Sequence, residues 1–74
     1  MKVYAIKGYG KNDYIYATQN TIKKELKKII ENENKTRMIY TISEDGSFKL
    51  YDRLVYHNKK WHSLKFKNII DNQK

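Results

Sequence analysis

Two short runs open the chain, "KVYAIK" at 2–7 and "DYIYAT" at 13–18, both rich in β-branched and aromatic residues and separated by "GYGKN". Such a pair predicts a β-hairpin whose loop uses its glycines for positive φ. Apolar residues fall on both parities: Val3/Ala5 competes with Tyr4/Ile6, and Ile15/Ala17 with Tyr14/Tyr16. The inward set stays open. Apolar groups on both faces imply that part of the outer sheet is covered by a tail, a second subunit or a partner.

From Asn20 to about Asn34 the period changes. Ile22, Leu26, Ile29 and Ile30 fall at i, i+4, i+7 and i+8, one stripe of a helix. Asn20 or Thr21 is placed to cap its start, and "NENK" ends it in residues that favour turns. Lys23, Lys24, Lys27 and Lys28 crowd the other face early, while Glu31 and Glu33 come late. Both placements oppose the macrodipole, each costing about 0.3–1 kcal/mol. A solvated lysine face is the plain reading, and a secondary basic patch is the functional one.

The stretch from Arg37 to Lys67 alternates again. "SEDGS" fits a three-residue hairpin loop with glycine left-handed, pairing Ile42 with Phe48, Thr41 with Lys49, Tyr40 with Leu50 and Ile39 with Tyr51. Met38, Tyr40, Ile42, Phe48 and Leu50 then share an apolar face that can take the helix. Carried past Asp52, the same parity keeps Leu54 and Tyr56 inside, and a turn at "NKK" sets Leu64 opposite Leu54 and His62 opposite Tyr56, with Phe66 inside as well. Asp52 faces inward in this scheme, so a bulge or bend is expected there. The outward face collects Lys49, Tyr51, Arg53, His57, Trp61, Lys65 and Lys67, without a carboxylate.

These elements predict an α+β fold with one helix packed on a four- to five-stranded antiparallel sheet, in the order β-β-α-β-β-β. Residues 1–70 form one domain and 71–74 a polar tail. A chain of 74 residues without cysteine has a marginal core and no disulfide to support it, which makes homo-oligomerisation or partner binding a source of stability. No run approaches the ~20 apolar residues of a membrane span, and the start lacks the apolar segment of a secretory signal. A cytoplasmic protein with no membrane partner is expected.

The formal net charge is +8. Lys, Asn, Ile and Tyr, all with A/T-rich codons, supply 37 of 74 residues, so codon bias accounts for part of the excess. Placement says more than the total: residues 1–30 are net +5, 31–52 net −2 and 53–74 net +5.

The candidate chemistry narrows quickly. His57 and His62 are the only histidines, expected on opposite faces, and no cysteine joins them, so no metal site and no cofactor are expected. "GYGK" leads into a strand rather than a helix, which excludes a phosphate loop. Small basic endoribonucleases share this size and charge, but no nucleophile–base–orienter set is present, so the chain reads as a non-enzyme.

What remains is a sheet surface of rings and cations: Lys49, Tyr51, Arg53, Trp61, Lys65 and Lys67, with Lys23, Lys24, Lys27 and Lys28 as the secondary patch. Phosphates reward clustered cations, and unpaired bases reward aromatic faces. The expected function is therefore binding of nucleic acid, single-stranded or structured RNA or DNA. The alternative is a protein-binding inhibitor or adaptor of the phage or mobile-element type, acting on an acidic or nucleic-acid-handling host protein.

Overall fold

The computed structural model describes residues 2–71. Along the chain, β1 (Val3–Lys7) and β2 (Tyr14–Thr18) precede α1 (Ile22–Asn32). Then come β3 (Arg37–Ile42), β4 (Phe48–His57), β5 (Lys60–His62) and a short α2 (Lys67–Asp71). The five strands form one sheet in the order β2-β1-β3-β4-β5, antiparallel at every neighbouring pair. The fold is α+β, with a second helix where the sequence pattern gave only one. α2 closes at Asp71, and the rest of the expected tail, 72–74, lies outside the described residues.

α1 lays the expected stripe on the sheet: Ile22, Leu26 and Ile29 are buried against Tyr4, Ile6, Ala17, Ile39 and Leu54. Its start differs in detail. Thr21 holds the N-cap position without a side-chain cap, because its Oγ1 turns back to accept from the Thr18 N–H at 2.9 Å. At the other end Glu33 is answered by Arg37, which is buried, and donates to the Glu33 carboxylate and to the Lys7 carbonyl at 2.9 Å. The Arg37 guanidinium also lies 3.9 Å from the centroid of the Tyr9 ring. One side chain thus ties the β1–β2 loop, the end of α1 and the start of β3, and removes the unfavourable charge from the helix terminus.

The glycines of that loop work differently from expectation. Of the three glycines only Gly46 has positive φ, at 87°, in the β3–β4 turn. At Gly8 a Cβ would collide with the Asp13 side chain, so glycine serves close approach there.

The β3–β4 hairpin forms the expected register near its loop, with Ile42 opposite Phe48, Thr41 opposite Lys49 and Tyr40 opposite Leu50. One step further the ladder slips, and Ile39 faces Asp52 instead of Tyr51. Tyr51 is the extra residue of a β-bulge, which reverses the parity of everything after it. The helices pack on the side of Ile39 and Leu54, so the Met38/Tyr40/Ile42/Phe48/Leu50 face expected beneath the helix is the open one. Thr41 and Lys49 had made the true inner side look polar.

A second slip follows at the β4–β5 turn. Asn58 and Lys59 have φ of 52° and 63°, the two positive values of a type I′ turn, so the loop holds two residues rather than three. Val55 therefore faces His62 and Tyr56 faces Trp61. Leu64, expected inside, is 82% exposed, while Phe66 and Ile69 of the α2 region are buried. The connector into α2 is fixed by Asp52, which accepts from the Ser63 hydroxyl, the Lys65 N–H at 3.0 Å and the Arg53 N–H at 2.7 Å. An inward aspartate is thereby satisfied.

Candidate nucleic-acid interface

The six sheet residues expected to act together are divided by the two slips. Lys49 and Tyr51 stay on the helix-bearing side of the sheet, beyond the ground that α1 covers. Tyr51 is half-buried, edge-on to Tyr4 at 5.4 Å between ring centroids and 6.1 Å from Phe66. Lys65 joins it, its ammonium 5.2 Å from the Tyr51 centroid, and Lys2, absent from the expected set, sits at the same distance. Arg53 is exposed opposite Met38 on the reverse side of the sheet. Trp61 is half-buried against the core with its ring 5.1 Å from Tyr56. Lys67 is exposed at the first position of α2.

The secondary patch is present as a surface. Lys23, Lys24, Lys27 and Lys28 are all exposed on the outer side of α1, with Lys28 paired to Glu25 at 3.6 Å.

The reverse side of the sheet carries Tyr40 and Phe48, which parity had assigned to the interior, together with Tyr14 and Tyr16, which it had left open. Tyr14 on β2 stands 5.0 Å from Phe48 on β4, 6.3 Å from Tyr40 and 6.3 Å from Tyr16. A flat sheet would hold β2 and β4 too far apart for that contact, with two strands between them at ≈ 4.8 Å spacings. The sheet is therefore curled, concave on this side. Ala5, flanked in register by Tyr16 and Tyr40, is fully buried beneath the concavity. The outer members stay open: Tyr16 is 61% exposed, Phe48 39% and Leu50 43%.

Charge on this face has one sign. Register and alternation place Lys7, Arg53, Lys60, His57 and His62 on it, and no strand residue of the face is acidic. The Lys7 ammonium lies 5.3 Å from the Tyr14 centroid. The two histidines share the face because of the one-residue shift at β5, contrary to the expected opposition. No group of three or more metal-type ligands occurs among the described residues.

The sequence signal for this face was present but incomplete. Tyr40 and Phe48 were grouped correctly by the hairpin, yet nothing in β1 or β2 chose between Tyr14/Tyr16 and Ile15/Ala17. Ala5 and Ala17 decide it in the fold: both are buried, but on opposite sides, one under tyrosines and one under the helix.

No family model, curated protein or solved structure matches the chain. No described helix is long and apolar enough to cross a membrane.

Proposed function

We propose that this chain binds nucleic acid, in single strands or in unpaired stretches of structured RNA or DNA, through the concave face of its sheet. The observation that carries the reading is the combination on that face of two open rings, Tyr16 and Phe48, with strand residues whose charges are all basic. Each ring offers a surface to an unpaired base, worth about 1–3 kcal/mol per stacked base. Lys7, Arg53 and Lys60 supply the phosphate contacts. A duplex hides its base faces inside the stack, so this surface favours single strands. The action is binding in the cytoplasm rather than bond cleavage.

The test is competition at fixed salt: a labelled oligonucleotide on the protein, displaced by unlabelled single strand or by duplex of the same sequence. Single strand should displace at far lower concentration, and the RNA should be recovered intact. Equal displacement by both, or no binding, contradicts the proposal.

One observation favours the second reading, a protein-binding module for an acidic or nucleic-acid-handling partner. Leu50 and Leu64 are exposed apolar residues in a cleft along β4, together with Val55, Arg53 and His62. An extended peptide could dock there by strand addition. Failure of every oligonucleotide in the competition would turn attention to it.

A further inference from the structure

Beyond the ring face, a second cluster lies on the other side of the same β3–β4 hairpin. The ammonium groups of Lys2 and Lys65 each stand 5.2 Å from the Tyr51 centroid, hence no more than twice that distance from each other. Lys49 lines the same cleft of about 560 Å³, as do Thr41 and Ser43. Among the described residues the ion pairs are Lys28–Glu25 and Arg37–Glu33, so none of these three lysines pairs with a described carboxylate. Glu44 is the one acidic residue in the lining. Two cations held at an aromatic ring, with a third lining the same cleft, are an arrangement that attracts a polyanion.

Between this cluster and the ring face runs an open strand edge. β5 pairs with β4 only at Val55, Tyr56 and His57, which leaves β4 from Phe48 to Leu54 without a strand partner on that side. Along that edge residues alternate across the sheet, Phe48 and Leu50 toward the rings, Lys49 and Tyr51 toward the lysine cluster. Leu50 and Tyr51 also line the cleft at the edge itself, which joins the two surfaces.

We infer that Lys2, Lys49 and Lys65 around Tyr51 form a phosphodiester-binding site, and that one nucleic-acid strand laps over the free edge of β4 to reach both sides of the hairpin. This rests on the nucleic-acid reading above and specifies its ligand. The sheet edge is one strand thick, so the chain that crosses it must turn sharply. A single strand does so easily, whereas duplex DNA stays stiff over roughly 150 base pairs.

The test is the salt dependence of oligonucleotide binding. Each phosphate contact on a single strand contributes about 0.7 to the slope of log K against log salt. The combined Lys2→Gln, Lys49→Gln, Lys65→Gln variant should flatten the slope by about 2. Tyr16→Ala with Phe48→Ala should weaken binding at every salt concentration and leave the slope in place. An unchanged slope in the lysine variant overturns the inference. If wild type binds no oligonucleotide, the nucleic-acid reading fails, and titration with inorganic tripolyphosphate judges the cluster alone. Amide shifts centred on Lys2, Lys49, Tyr51 and Lys65 then uphold an anion site there, and their absence rejects it.

Discussion

Asp52 on β4 accepts a hydrogen bond from the hydroxyl of Ser63, and both residues are buried. The same carboxylate holds the Lys65 N–H, so it sets the path of the connector that carries Lys65 to Tyr51. Removing the acceptor leaves buried donors unmet, at about 1–3 kcal/mol for such groups. Asp52→Ala should therefore lower the unfolding free energy by at least about 2 kcal/mol in urea denaturation. Ser63→Ala should cost less, because Asp52 keeps its backbone donors.

The same residue gives the protein an acid limb. Burial would push the Asp52 carboxyl up, but the hydrogen bonds from Ser63, Lys65, Arg53 and Leu64 outweigh it and hold the group below the usual aspartate range. A carboxyl whose folded value is depressed contributes stability fully above its unfolded value, about 3.9. That contribution is lost as pH falls through the folded value. Stability measured from pH 6 downward should fall steeply below about pH 4, and less steeply in Asp52→Asn.

The loop, the hairpin register near Gly46 and the helix stripe were all legible because each rests on local chemistry: glycine at positive φ, period-two alternation, period-3.6 alternation. What the pattern left unread were two single-residue slips, at Tyr51 and at Asn58–Lys59. Each inverts the parity of every residue after it, so small local errors became a wrong face. Asp52 flagged the first slip, since an inward carboxylate demands partners. α2 was missed because five residues are too few to show a helical period. The dispersal of Lys49, Arg53 and Trp61 over different surroundings follows from those same two slips.

Arg37 makes a sharper case for geometry over charge. Its fork bonds Glu33 and the Lys7 carbonyl while its plane meets the Tyr9 ring. Arg37→Lys keeps the charge and loses the fork, and should destabilise the fold by about 1–3 kcal/mol. Arg37→Ala should cost more, with the Glu33 carboxylate left without its guanidinium. Thermal unfolding of both variants checks the order.

Lys59 holds φ of 63°, in the left-handed region, at the second turn position where glycine suits a type I′ turn. Lys59→Gly should raise stability by up to about 1 kcal/mol, as relief of the left-handed penalty exceeds the entropy glycine adds to the unfolded chain. A fall in melting temperature would show that the Lys59 side chain contributes more than its backbone strain costs.

Trp61 packs on Tyr56 and the core, which makes it a structural ring. Trp61→Ala should lower stability by about 2–4 kcal/mol, while the fraction still folded binds oligonucleotide as wild type does. Binding lost in step with the indole, at unchanged folding, would return tryptophan to the interface.

The central claim concerns the concave face, and affinity for a labelled single-stranded oligonucleotide in Tyr16→Ala and Phe48→Ala measures it most directly. Both side chains are exposed, so both variants should fold. Each should bind about 5- to 150-fold more weakly than wild type, from the loss of about 1–3 kcal/mol of stacking. Wild-type affinity in both variants would contradict a base-stacking role for this face.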